Sequence, residues 1–222
     1  MTTFQQAARE HTSILAASEK RTLIWIAERL PMWLNSDHLT GIGFVSLILA
    51  GGFYWLSSWH PWALLGVIIC LALNWFGDSL DGTLARVRNR QRPRYGFYVD
   101  HVLDAFGIVI LTFGIVASGF LTPFVAFSFL VAYLLLSIEI YLATYTLGKF
   151  HLSYWHFGPT ELRILLAIGN LAVMRNPFAI IAGHRFLLFD VGFGIGAVGV
   201  LVIAIQATVK HTRQLYREEA LD

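Results

Sequence analysis

Apolar residues run along this chain in long blocks, parted by short polar joints. Six blocks stand out, at residues 39–58, 61–84, 97–120, 121–147, 161–173 and 186–209. Crossing a bilayer takes about 20 mostly apolar residues in a helix, so the pattern predicts six transmembrane helices. The fifth block is the weakest and should extend at both ends. Ahead of them, residues 12–35 interleave Leu23, Ile24, Trp25, Ile26, Leu30 and Trp33 with Glu19, Lys20, Arg21, Glu28 and Arg29. Apolar residues at helical spacing beside charges predict an amphipathic helix on the membrane surface, broken by Pro31. The expected fold is all-α and polytopic. It forms one membrane domain over residues 1–222: a tail and surface helix at 1–36, a six-helix bundle at 37–209 and a second tail at 210–222.

Composition strengthens that picture. Of the 222 residues, 56% are hydrophobic and 14% charged, whereas a soluble domain carries roughly 25% charged residues. Such a chain cannot cover itself for water. Residues 1–22 are polar and mixed in charge, so no cleavable signal peptide is expected. Cys70 is the single cysteine, which rules out an intrachain disulfide and a multi-thiolate metal site.

The net charge of +2 matters less than where the charges fall. One set of joints holds Arg9, Lys20, Arg21, Arg29, five arginines from Arg86 to Arg94, Lys149, Lys210, Arg213 and Arg217; the other set holds only Arg175 and Arg185. By the positive-inside rule both termini are cytoplasmic, in a bacterial inner (plasma) membrane. Trp55, Trp59, Trp62 and Trp155 fall at expected interfaces, where indoles anchor in headgroups. Gly114 with Ser118, and Gly192 with Gly196, form small-xxx-small pairs that suit packing within one subunit or a homodimer. No feature calls for a nucleic-acid partner.

Four aspartates interrupt the second and third blocks. Asp78 and Asp81 are three residues apart, Asp100 and Asp104 four apart, so each pair shares one helix face. At about 1.5 Å per residue, Asp78 and Asp81 stand roughly 8 to 12 Å from Arg86, and Asp100 and Asp104 roughly 7 to 14 Å from Tyr95. Two antiparallel helices on a short loop would bring all four to one depth. Each charge within a span costs at least about 2.5 kcal/mol, and four together repel one another. Only cations offset that. Oxygen-only ligands favour Mg²⁺, Mn²⁺ or Ca²⁺ over zinc, and two such ions could clamp both oxygens of a phosphoryl displacement. Gly82 and Ala85 leave the neighbouring helix face bare for a bulky ligand, and Arg86 is placed for a phosphate contact.

The run Asp78-x2-Asp81-Gly82-x2-Ala85-Arg86, then nine residues, then Gly96-x3-Asp100-x3-Asp104 resembles the hallmark of the CDP-alcohol phosphotransferase (phosphatidyltransferase) family. That resemblance implies phospholipid-synthesis chemistry with two divalent cations, Mg²⁺ or Mn²⁺. Asp78, Asp81 and Asp100 would hold them, and Asp104 would act as general base while also touching a metal. Gly82, Ala85, Arg86 and Gly96 would shape the nucleotide pocket. The partners implied are a CDP-linked lipid or CDP-alcohol donor, a hydroxyl acceptor and membrane lipids.

A weaker resemblance, to choline and ethanolamine phosphotransferases, lies in Glu139-x-Tyr141-x2-Thr144-x2-Leu147 and Gly158-Pro159-Thr160-Glu161, with Asp100-His101 matching as well. It makes Glu139 a candidate for a cationic headgroup or the acceptor, beside Glu161 and Arg163. An interhelical hydrogen bond is the alternative for Glu139; helix capping and an interfacial ion pair are the alternatives for Glu161 and Arg163. The arginines from Arg88 to Arg94 attract anionic lipid or nucleotide, or form a solvated loop. His151 and His156 lack metal-ligand spacing. The expected activity is transfer of a phosphatidyl group from CDP-diacylglycerol to a hydroxyl, with CMP released. The amino-alcohol reaction stands second, and an intramembrane prenyltransferase or a divalent-cation transporter stands well behind.

Overall fold

A computed structural model describes residues 8–10, 16–151 and 158–219. Seven helices dominate them: α1 (Ala16–Ala27), α2 (Ser36–Leu56), α3 (Ala63–Val87), α4 (Pro93–Ser118), α5 (Pro123–Leu147), α6 (Pro159–Arg175) and α7 (Leu188–Glu218). Two small ladders accompany them. Strand β1 (Ala8–Glu10) pairs in parallel with β2 (Lys149–His151), and β3 (Phe178–Ile181) pairs antiparallel with β4 (His184–Leu187) through a turn at Ala182 and Gly183.

Local chemistry sets the helix ends. Asn35 caps α2, accepting from the His38 N–H at 3.0 Å, while His38 Nδ1 accepts from the Asn35 N–H at 3.2 Å. Proline stands at the start of α4, α5 and α6, where its missing N–H costs nothing. Gly119 and Gly148 end α4 and α5 with φ of 77° and 66°, a left-handed conformation that glycine adopts without strain.

Five helices (α2, α3, α4, α5 and α7) are long and apolar enough to cross a membrane. Helix α6, the fifth expected span, is a helix as anticipated but has only 17 residues, about 26 Å at the usual rise. It is not among those five. Helix α1 occupies the middle of the expected surface helix and stops before Pro31. It is partly sequestered: Leu23 and Ala27 are buried with Leu39, Leu80 and Leu84 of α2 and α3, and Trp25 stays exposed on another face.

The helices pack in a closed order, α6 on α3, α3 on α2, α2 on α4, α4 on α5, α5 on α7, and α7 back on α6. The hairpin partners α3 and α4 scarcely touch each other; each lies along α2 instead. Missing side chains make this possible. A methyl at Gly77 would meet the Leu39 carbonyl oxygen at 2.4 Å and the Gly43 nitrogen at 2.5 Å, and one at Gly114 would meet the Gly51 oxygen at 2.4 Å. Backbones thus meet at two levels of α2. Gly114 serves packing within the subunit, as does Gly196, which lies under Phe129. Large apolar side chains such as Ile69, Phe106, Phe124 and Ile195 remain exposed on the outside, as suits a lipid-facing surface.

Gly77→Ala forces α2 and α3 apart and should destabilise the protein by about 1 to 3 kcal/mol, the usual range for overpacking. Gly52→Ala, at a position open to at least 4 Å, should change little. Thermal melting of both variants in detergent checks the contrast.

Candidate active site

The gap left between α3 and α4 is where the acidic residues face one another. One carboxylate oxygen from each of Asp78, Asp100 and Asp104 lies within 4.8 Å of the other two. Among the described residues this is the one group of three or more acidic, histidine or cysteine side chains so placed. Like charges about 5 Å apart repel by roughly 3 kcal/mol per pair at an effective dielectric of 20. The cluster therefore demands positive charge.

Asp81 lines the same cavity, with Thr40, Gly43, Phe44, Leu47, Asn74 and Leu103 completing much of the wall. It stands apart from the close trio because its carboxylate is engaged elsewhere. Oδ1 accepts the Gly82 N–H, and Oδ2 accepts the Thr40 hydroxyl at 2.6 Å. Ser36 adds a bond from its hydroxyl to the Asp81 carbonyl at 2.7 Å. The first two turns of α2 thus hold Asp81 from outside the motif. The cavity measures about 20 Å³, enough for one water-sized occupant and far too small for a nucleotide.

The donor set fits a divalent cation. It is all oxygen, as Mg²⁺ and Mn²⁺ prefer, and its three carboxylates converge closely enough that one ion could be held between them. Asp78 meanwhile has a protein cation. Its Oδ2 accepts from Arg163 Nη2, and Arg163 Nε donates to Asn74 Oδ1 at 2.7 Å. Asn74 in turn donates from Nδ2 to the Gly43 carbonyl at 3.0 Å. Arg163 comes from α6, which packs on α3.

The other candidates divide. Gly82 and Gly96 present bare backbone: nothing lies within 4 Å of a Cβ at Gly96, and at Gly82 only an Arg86 nitrogen comes near, at 3.4 Å. Ala85 lies one turn beyond Asp81 and is half-buried. Arg86 donates to Thr83 Oγ1 at 2.9 Å. Glu161 caps α6, accepting the Gly158 N–H at 3.0 Å. Glu139 faces α7, where its Oε1 lies 2.5 Å from His211 Nδ1. Its Oε2 is buried with no hydrogen-bond partner among the described residues. The interhelical alternative for Glu139 is the contact observed.

Loop arginines have structural partners too. Arg88 donates to the carbonyls of Leu34, Leu30 and Pro31, and Arg92 pairs with Asp37 and covers the Tyr95 ring. His156 and Trp155 lie outside the described residues, as does the His151 side chain.

Thr40 and Asn74 are site residues that sequence reasoning misses. Both are ordinary polar residues within apolar blocks, and their one signal is an intramembrane polar side chain at helical spacing from the motif: Asn74 sits one turn before Asp78. His101 stands out in sequence only beside Asp100. Its ring stacks on Phe97 at 4.2 Å and meets Tyr141 of α5 edge-on at 4.8 Å, with Nδ1 3.5 Å from Asp100 Oδ2. It links the motif helix to α5.

Apolar helices surrounding an oxygen-only carboxylate site define an integral membrane protein built to hold positive charge against acidic side chains. Comparison with known proteins gives that class a family: the model of the CDP-alcohol phosphatidyltransferase family matches residues 34–207, and the chain belongs to it. An archaetidylinositol phosphate synthase of Pyrococcus horikoshii is 31% identical over 186 residues, which cover 82% of each chain. The protein is accordingly a phosphate-group transferase of phospholipid biosynthesis, and CDP-alcohol chemistry, rather than prenyl transfer or ion transport, is its setting.

Thr40→Val removes a hydrogen bond to a charged group without much change of shape, a loss of about 1.5 to 3 kcal/mol. Turnover should fall at least tenfold and the melting temperature in detergent should drop by several degrees. An unchanged rate would show that Asp81 is held without Thr40.

Proposed function

We propose that the protein transfers a phosphatidyl group from CDP-diacylglycerol to the hydroxyl of a polar alcohol and releases CMP. The observation that carries this reading is the convergence of Asp78, Asp100 and Asp104 on one point, with Asp81 on the same cavity wall. The proposed setting is a single membrane domain over residues 1–222. In it α6 is a sixth span, α1 lies along the membrane surface, and the acidic site and both termini face the cytoplasm of a bacterial cell.

Asp78, Asp81, Asp100 and Asp104 would hold two divalent ions, Mg²⁺ or Mn²⁺, which when bound supply the charge that offsets the donor's pyrophosphate. Bare backbone at Gly82 and Gly96, with Ala85, leaves room for the nucleotide, and Arg86 is near enough to Gly82 to contact a phosphate. Asp104 takes the proton from the acceptor hydroxyl. The acceptor oxygen forms a bond to the phosphorus that bears the lipid, the bond from that phosphorus to the bridging oxygen breaks, and CMP departs with the electron pair. Of the three candidate acceptor residues, Arg163 reaches the carboxylates and is the one we assign to the acceptor side. Glu139 and Glu161 serve helix contacts and capping first.

The relative named for archaetidylinositol phosphate favours a CDP-lipid as donor and adds inositol phosphate to the acceptors worth offering. The amino-alcohol reaction is second, because Glu139 is already bonded to His211.

Purified protein in detergent, given CDP-diacylglycerol or a CDP-amino-alcohol with a panel of acceptors and Mg²⁺ or Mn²⁺, should release CMP only with the lipid donor. Mass spectrometry of the lipid product identifies the acceptor. Asp104→Asn should lower turnover by about 10²- to 10⁴-fold, the usual worth of a general base, and spare much of the donor binding. Asp78→Asn should weaken metal and donor binding. Full activity in the Asp104 variant would remove it from the base role, and CMP from the amino-alcohol donor alone would favour the second reading.

A further inference from the structure

Three carboxylates gathered among apolar helices need a counter-charge whether or not a metal is bound. Asp78 has one built in: the Arg163 guanidinium bonds its Oδ2 and is held in place through Nε by Asn74. Both partners of this ion pair are half-buried, their side chains being 17% and 22% exposed. Arginine stays protonated at any relevant pH, so its charge cannot be switched off. Arg163 also interacts electrostatically with Asp104. It thus bonds one of the three groups that form the candidate cation site and is near enough for its charge to be felt at a second.

We propose that Arg163 is the resident counter-ion of this cluster and sets its affinity for divalent cations by competing with them for Asp78. The proposal rests on the metal-site reading above. Two effects of opposite sign follow from Coulomb's law. Without metal, Arg163 steadies the cluster by offsetting repulsion among the carboxylates. With metal, the same fixed charge repels the arriving ion and ties up an oxygen that could ligate it. Asn74 fixes the balance, since its bond to the Gly43 carbonyl keeps the guanidinium pointed at Asp78 instead of out of the gap. A residue that only packs α6 against α3 would act with one sign in both states.

The test compares wild type with Arg163→Gln in detergent. Mn²⁺ affinity is read from the electron paramagnetic resonance signal of the free ion, and stability from thermal melting in EDTA and in saturating Mn²⁺. The variant should melt several degrees lower in EDTA and bind Mn²⁺ about tenfold more tightly, and its stability deficit should shrink when Mn²⁺ saturates. If it cannot be purified, Arg163→Lys serves: it keeps the charge but lacks the planar fork that ties Asp78 to Asn74, so affinity should rise by a smaller factor. Equal or weaker Mn²⁺ affinity in the folded variant, with an equal loss of stability in both conditions, overturns the counter-ion role and leaves the metal site standing. No Mn²⁺ binding by wild type overturns the metal site and this proposal together.

Discussion

The fold is organised around a concentration of negative charge that lipid would not tolerate unaided. Asp78, Asp100 and Asp104 bring oxygens within 4.8 Å of one another inside a ring of apolar helices. Each charge in a span costs at least about 2.5 kcal/mol, and mutual repulsion adds to that. The surroundings read as answers to this constraint. Asp81 is held by an N–H and a hydroxyl, and Asp78 by a guanidinium. Helices α2, α3 and α4 supply the wall of the site and α6 a charged partner.

Much of this is legible in the sequence. The apolar blocks locate helices α2 to α6 and the start of α7 to within a few residues, because a span is specified by composition over about 20 positions; α7 runs on to Glu218, through most of the expected tail at 210–222. The aspartate spacings announce a shared site, since carboxylates are too costly within a span to persist there without a function. The two-helix picture of that site is incomplete. α3 and α4 do not close on each other; α2 packs against both, and the relevant signal is the glycine pattern Gly43, Gly51, Gly77 and Gly114, which reads as ordinary until the partners are known. Which of Glu139, Glu161 and Arg163 faces the acids is equally hidden. That depends on the rotation of α5 and α6 about their axes, and neither helix carries a polar stripe long enough to reveal it.

The division of labour among charged side chains has a simple logic. Helix ends take the groups that backbone geometry can satisfy, as with Glu161 at the start of α6 and Arg88 on the carbonyls after α1. Charges deeper in the bundle are paired side chain to side chain, Glu139 with His211 and Asp78 with Arg163. The acidic site lies where the two regimes meet, within about three turns of a helix end, half-buried and shallow enough for a polar substrate.

The contact at Gly77 bears on how such an enzyme meets bilayers of different thickness. Here the α2 backbone occupies the place a methyl would take, one residue before Asp78. The height of that aspartate relative to α2 is therefore set by main chain against main chain, not by the surrounding lipid. When the hydrocarbon layer thins or swells, tilt and adjustment at the helix ends can absorb the mismatch, and the acidic layer keeps its register.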